Sequence, residues 1–374
     1  MEPFVEELVK QVGKNNGMPV FTKTVTVGSK ETVFKCNQTK VQLKHGNRVL
    51  HLLIKTPPED KETRAIQKTG QKFSNEILFY KEIYSRLKKH GWNGRTPMFF
   101  TSSMDKGKEV IVLEDLEKST YKAVNIAQGL DDDHLKLVMS ALSDVHNAVL
   151  SWKTKEETDY NNIVTRLKDT TILDVPDEDE TTMQKVIISS SLDAGISHSK
   201  HHFGKEVGEK VETFKKTVFT DMRGWFDGKD PKNILIHGDY WNDVFMFKYE
   251  EKVPVDIAIT DWQNIRIGSP FADVSLAVLG SASVKCLEHP TSILECYGSS
   301  VFTDDKRQEL RSAGRFGFTM ALINILFASI EEELPLEQII KGILRSPQLR
   351  DQGFRKLTLR VASIVKAAAD MGII

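Results

Sequence analysis

Two aspartates stand where the chain's chemistry is most legible. Asp239 follows "ILIHG" and Asp261 follows "VDIAIT", each at the end of a β-forming run. Between them, "VFMFKY" and "VPVDIAIT" read as strands, with "KYEEK" (Lys248 to Lys252) as the turn. Val253, Val255, Ile257 and Ile259 alternate as in a half-buried strand. Such a hairpin returns the chain past its own start and can set both carboxylates on one edge of a cleft. One carboxylate that takes a proton from a hydroxyl, beside another that holds Mg²⁺ against a polyphosphate, is what phosphoryl transfer needs. Mg²⁺ is a hard ion suited to carboxylate and amide oxygens. Aspartates flanking a structural hairpin by chance are the plain alternative. The unusual types in "HGDYW" and "ITDWQNIRIGSPFAD" weigh against it.

Those carboxylates need a phosphate-holding cation opposite them. From about Thr22 to Lys55, "FTKTVTVG", "TVFKCNQTKVQL" and "VLHLLIK" read as strands, broken at Gly28 and at "HGN". Lys55 closes the last. After "PPED", the run "FSNEILFYKEIYSRLKK" puts Phe73, Ile77, Tyr80, Ile83, Tyr84 and Leu87 at helical spacing, with Glu76 among them. A strand lysine on ATP phosphates, held by a helix glutamate, is an arrangement kinases use. A solvated lysine capping a strand is the ordinary alternative. "EVIVLEDL" is one more strand, and its "LEDL" falls at the connection between lobes, where backbone around Glu114 and Leu116 can meet an adenine edge.

Beyond residue 117 the texture turns helical. "DDHLKLVMSALSDVHNAVLSW" opens on acidic residues suited to a helix N-terminus. A polar insertion of helices and loops is expected over about 152–216, and helices again from about Phe271, with "TMALINILFAS" apolar nearly all round and so buried. The expected division is a nucleotide-binding lobe over 1–117 and a catalytic and substrate lobe over 118–374, an α+β chain.

Composition removes other classes. The 374 residues suffice for two domains or one large two-lobed unit. Fifty-one Lys and Arg against 52 Asp and Glu, dispersed along the chain, give no footprint for nucleic acid or an acidic membrane. Cys36, Cys286 and Cys296 are too few for a disulfide framework and read as buried reduced thiols. "MEPFVEELVK" has acidic residues where a signal peptide needs basic ones. The run Phe316 to Ile330, interrupted by Gly317, Thr319 and Asn324, is too short to span a bilayer. A soluble, cytoplasmic protein is expected, with its oligomeric state open. There is no GxGxxG, GxxxxGK[ST] or GxSxG motif, so Rossmann, P-loop and α/β-hydrolase readings fall away.

The segments "HLLIK", "FSNEILFY", "IVLEDL", "SALSDVHNAV", "HGDYW", "TDWQ" and "GSPFAD" occur in an order and spacing that resembles the ecdysteroid kinase-like, or CHK kinase-like, family, relatives of choline kinases and aminoglycoside phosphotransferases. The resemblance runs from about Gly28 into the C-terminal helices. It implies a bilobal protein-kinase-like fold, with a small antiparallel-sheet lobe and a larger, mainly helical one. It implies ATP and Mg²⁺ as cofactors and a small-molecule hydroxyl, steroid-like or otherwise lipophilic, as acceptor. Carried over by residue, it implies Asp239 as base, Asp261 on the metal, Lys55 on the ATP phosphates with Glu76 as partner, and Asp273 and His237 supporting the loop.

Two positions depart from that pattern. The family's metal-binding Asn belongs five residues after the base, where this chain has Val244, which offers no side-chain oxygen. Asp243 can take its place as a metal ligand only if the loop shifts by about one residue. The phosphate-covering turn is reduced to Gly28 and Ser29 in "VGSKETVF". A transferase and a catalytically weak or inactive protein that binds nucleotide, ligand or a protein partner therefore both stand. His198, His201 and His202 suit a polar face better than a metal site, and His146 reads as core packing. Trp241 and Trp262 either wall an acceptor pocket or pack the loops.

Overall fold

Strand pairing organises the first part of the chain. The computed structural model describes residues 2–27, 36–105, 107–126, 128–170, 183–225, 230–298, 303–328 and 358–374. Helix α1 (Pro3–Asn15) precedes β1 (Thr22–Val27), β2 (Asn37–His45) and β3 (Arg48–Thr56). Next come α2 (Lys61–Ile66), α3 (Thr69–Leu78), a π turn (Phe79–Ile83) and α4 (Tyr84–Lys89), then β4 (Phe99–Ser103) and β5 (Val110–Glu114). The five strands form one antiparallel sheet in the order β1-β2-β3-β5-β4.

The two-residue period of β3 assigns its faces. Leu52 and Ile54 join Val41, Leu43, Val110 and Val112 in a core closed by Val5, Val9 and Val12 of α1. Lys55 therefore points to the opposite face, where Ile111 and Leu113 meet Phe73 and Ile77 of α3.

The rest is mainly helical. After β6 (Tyr121–Ala123) come α5 (Asp132–Lys155), α6 (Glu157–Val164), α7 (Met183–Phe203), α8 (Lys205–Lys215) and α9 (Val218–Gly224). Strands β7 (Ile234–Ile236), β8 (Phe245–Glu250), β9 (Val253–Ile259) and β10 (Arg266–Gly268) follow. The chain then runs through α10 (Pro270–Ser281), α11 (Val284–Leu287), α12 (Pro290–Glu295), α13 (Asp304–Ala328) and α14 (Thr358–Asp370). β6-β8-β9 and β7-β10 are two small sheets that present the loops of interest. The architecture is α+β and bilobal, a sheet lobe beside a helical one.

Several expectations change. Neither α1 nor β4 was expected; all five β4 residues are half-buried, which erases the alternation that marks a strand. The expected helix over Phe73 to Lys89 is broken by the π turn, which lets consecutive Phe79 and Tyr80 both be buried. The β8–β9 turn is only Glu251–Lys252, both at positive φ, and a register shift at Lys248/Tyr249 leaves Val253 and Val255 exposed and Pro254 buried. Of the cysteines only Cys286 is buried; Cys36 and Cys296 are half-buried. The Gly28 turn lies outside the described residues. Among the described residues no helix is long and apolar enough to cross a membrane.

One side chain ties the lobes together. Asn75 of α3, fully buried, donates to Lys168 O at 2.9 Å and accepts from Lys168 N at 2.8 Å. The same amide lies 3.4 Å from Ile265 O and 3.5 Å from Gln263 O, in the loop after Asp261. Removing it leaves partly buried backbone groups of Lys168 and the buried Ile265 carbonyl without this partner, at up to about 1–3 kcal/mol each. Asn75→Ala is expected to lower unfolding stability in urea by roughly 2–4 kcal/mol; a loss inside about 0.5 kcal/mol would show that the clasp is dispensable.

Candidate active site

The sheet lobe contributes a shared cation. Lys55 Nζ lies 2.9 and 2.7 Å from the two Glu76 oxygens and also bonds Asp261 Oδ1. It is 2% exposed and Glu76 1%. Burial works against the ammonium, but Asp261 and Glu76 outweigh it and hold the Lys55 pKa well above the ordinary lysine value. Burial also raises Glu76, with Lys55 opposing. Asp261 reaches the lysine from a left-handed backbone position, φ +57°, one of the few such non-glycine residues here. Aspartate tolerates that region better than most, and strain of this kind concentrates at functional sites.

The loop after β7 supplies the second carboxylate. Asp273, in the first turn of α10 and fully buried, accepts His237 N–H at 2.7 Å and Gly238 N–H at 2.9 Å, one on each oxygen. His146 Nε2 stands 3.4 Å from the same carboxylate and its Nδ1 2.8 Å from the Tyr297 hydroxyl, so this histidine buttresses the loop from α5 as well as packing. His237 Nε2–H donates to Thr260 O at 3.0 Å, which leaves Nδ1 to accept Asp239 N–H at 3.3 Å. Gly238 has φ +78°, and a Cβ there would lie 2.3 Å from Asn264 O, so glycine is required.

Asp239 is thereby aimed at the cleft. Its Oδ2 accepts the Asn264 amide at 3.1 Å and its Oδ1 faces the Asn324 amide at 3.5 Å. Burial pushes its carboxyl above the usual range; Lys72 pulls it back and Asp243 adds to the rise. The Asp243 charge is thus felt at Asp239. Asp243 lies on a 3₁₀ turn, Asn242–Val244, that packs Val244 into the apolar core at 2% exposure. Asn242 is 1% exposed with neither amide atom bonded.

Lys55, Glu76 and Asp261 thus meet in one ion cluster, and Thr260 and Asn264, just before and after Asp261, bond His237 and Asp239 of the loop braced by Asp273, with the Asp243 charge felt at Asp239. Glu114 and Leu116 stand apart from the cluster. Glu114 pairs with Leu52, three residues along β3 from Lys55, about 10 Å away. Its carboxylate binds Arg95 and Ser119, and its N–H donates to Met98 O at 2.9 Å. Leu116 is buried against Tyr121 and Ala258. Trp262 packs: it stacks on Phe79 at 3.9 Å and donates to Thr96 Oγ1 at 3.2 Å. Trp241 is likewise buried, against Gly280. His201 and His202 are exposed on α7.

The sequence reading missed Asn264, Asn324 and Lys72. Asn324 had a signal, the only amide in an otherwise apolar stretch of α13. Lys72 stands one helical turn before Glu76 and so shares its face.

A sheet lobe with a lysine–glutamate pair, facing a loop-borne aspartate pair on a helical lobe, defines a protein-kinase-like fold. The chain belongs to the ecdysteroid kinase-like family, whose model matches residues 32–307. Among solved structures it is similar to a spectinomycin phosphotransferase in complex with ADP and spectinomycin, at 13% identity over 97% of this chain and 98% of that one, TM-score 0.48. It is also similar to the GDP complex of wild-type aminoglycoside 2'-phosphotransferase-IIIa, at 11% identity over 98% and 100%, TM-score 0.47. A choline/ethanolamine kinase family protein from Mesorhizobium loti shares 11% identity over 97% and 99%, TM-score 0.42. No curated protein matches the chain. Identities this low carry no information about what the chain binds.

The shared lysine makes its own prediction. Removing one partner of a buried ion pair leaves an uncompensated charge, at about 3–5 kcal/mol. Lys55→Met is expected to lose stability on that scale in urea at neutral pH, and adding Glu76→Leu is expected to restore part of it. A Lys55→Met protein as stable as the parent would overturn the ion cluster.

Proposed function

We propose that this chain is a phosphotransferase that moves the γ-phosphoryl group of ATP to a hydroxyl of a small molecule. The observation that carries the reading is the convergence of Lys55, shared by Glu76 and Asp261, with Asp239 on a braced loop. Such a set has a use in phosphoryl transfer and costs a stable fold more than apolar residues would.

In this reading the lobe over 1–117 holds the nucleotide and the lobe over 118–374 the acceptor. Lys55 leaves part of its carboxylate cluster to meet the nucleotide phosphates. Asp239 orients the acceptor hydroxyl. As the hydroxyl oxygen bonds to the γ-phosphorus, Asp239 takes its proton, and the bond from phosphorus to the β,γ-bridging oxygen breaks to release ADP. Burial helps, because a carboxyl raised toward neutral pH is a better base. The amides of Asn264 and Asn324 fix its orientation without neutralising it.

Asp261 and Asp243 are oxygen donors of the kind Mg²⁺ takes. Among the described residues no three His, Cys, Asp or Glu lie close enough to hold an ion by themselves. Mg²⁺ commonly takes one or two carboxylates and completes its shell with phosphate oxygens and water, so these residues fit it. When bound, the ion supplies positive charge against the β- and γ-phosphates.

The core position of Val244 favours a second reading, a nucleotide-binding protein with weak or no transfer. Nucleotide binding with and without Mg²⁺, followed by ADP release over a panel of hydroxyl compounds including lipophilic alcohols, separates the two. Asp239→Asn is expected to cut turnover about 10²–10⁴-fold with nucleotide affinity retained. Metal-independent binding and no ATP consumption across the panel would remove the transferase. Val244→Asn is expected to increase turnover if the lost side chain had limited metal ligation.

A further inference from the structure

Lys72 is the buried charge for which the site so far has no use. Lys72, Asn75 and Glu76 stand at i, i+3 and i+4 of α3, on one face turned to the large lobe. Glu76 holds Lys55, and Asn75 clasps Lys168 and the loop after Asp261. Lys72 is 7% exposed, yet among the described residues its ammonium makes no hydrogen bond or ion pair. A cation left that way costs stability unless something satisfies it.

Its surroundings narrow what that something is. The charges acting on Lys72 are those of Asp239, Arg266, Cys36 and Asp261. Cys36 directly precedes β2, where Asn37 and Gln38 pair with Thr56 and Lys55, and Lys72 stands one helical turn before Glu76, the partner of Lys55. Asp239, the carboxylate acting most strongly on Lys72, takes the amides of Asn264 and Asn324 as its hydrogen-bond partners and not the Lys72 ammonium. Arg266, whose guanidinium lies against Gly238, adds a second positive charge to the same wall. A buried ammonium without an acceptor, near the charge of a half-buried guanidinium, suits an anion.

Resting on the nucleotide reading above, we propose that Lys72 binds the γ-phosphoryl group of the bound nucleotide, supplying beside Asp239 the positive charge that Val244 no longer recruits. Lysine suits the task, with three rotatable donors on a flexible stem.

Titration calorimetry of the full chain with ADP and with the β,γ-imido analogue of ATP, each with and without Mg²⁺, tests this in Lys72→Met and Lys72→Arg. The wild type is expected to bind the triphosphate more tightly than ADP. Lys72→Met is expected to weaken the triphosphate about tenfold or more and ADP by less than about threefold, with Lys72→Arg in between. Its melting temperature is expected to equal or exceed that of the wild type, because Met removes a buried charge at similar volume. Equal losses for both nucleotides, with a lowered melting temperature, would make Lys72 structural and overturn the proposal. An unchanged triphosphate preference in Lys72→Met, or none in the wild type, removes the Lys72 role and leaves nucleotide binding standing. A wild type that binds neither nucleotide removes both.

Discussion

A lysine ammonium enclosed by protein must be given carboxylates, and much of this structure follows from where they come from. Lys55 leaves β3 on the face away from the α1 core, so its partners must lie on the side of α3. One partner, Glu76, is on that helix; the other, Asp261, arrives from the turn after β9. The ion cluster therefore joins the two lobes at a contact that the apolar core, continuous from α3 and β5 into the large lobe, also spans. Asn75 and Phe79, one residue before and three after Glu76, seal the same contact, by hydrogen bonds to Lys168 and by stacking on Trp262. A buried ion cluster is seldom worth more than a well-packed apolar core. Its presence is better explained by what the lysine does when a ligand competes for it.

The two aspartates on either side of the β8–β9 hairpin sit in contrasting environments. Asp261 is paired with an ammonium, whereas Asp239 is half-buried with neutral amides as its hydrogen-bond partners; desolvation raises its affinity for a proton, and the Asn264 amide opposes that rise. Carboxylates pushed apart in this way separate into a charge-bearing partner and a proton acceptor. The division depends on Asp273, because a carboxylate that binds two successive backbone N–H groups fixes the loop at His237 and Gly238 and thus the direction of Asp239.

The charged members of the site were legible because they are unexpected types at the ends of apolar runs. Lys55 after "HLLI", Asp239 after "ILIHG" and Asp261 after "VDIAIT" each break a strand pattern. The sheet order was not legible, since β4 has no alternation and pairs next to β5 only in three dimensions. Asn264 was hidden for a different reason, and Asn324 carried only a faint signal. An amide carries no charge signal, and the second half of α13, from Phe316, reads as apolar until the fold turns its one asparagine toward Asp239. Lys72 was hidden by its commonness, for a helix lysine is ordinarily solvated and only α3 packing against the large lobe buries it. The exposure of Val253 and Val255 came from a register shift that residue alternation cannot foresee.

The turn at Val244 is held without its side chain. Its carbonyl accepts both the backbone N–H of Thr260, at 2.9 Å, and the Thr260 hydroxyl, at 3.1 Å, immediately before Asp261. Its own N–H closes the 3₁₀ turn on Trp241 O at 3.0 Å. All three bonds use the main chain or Thr260, so the residue type at 244 is free to change while the turn that delivers Asp261 persists. An apolar side chain then gains core burial that a polar ligand would forgo. In a three-residue turn successive side chains point roughly 120° apart. With Asn242 and Val244 both directed inward, Asp243 is the residue of that turn whose charge reaches Asp239. The burial of Val244 and the reach of the Asp243 charge to Asp239 thus go with a single turn geometry.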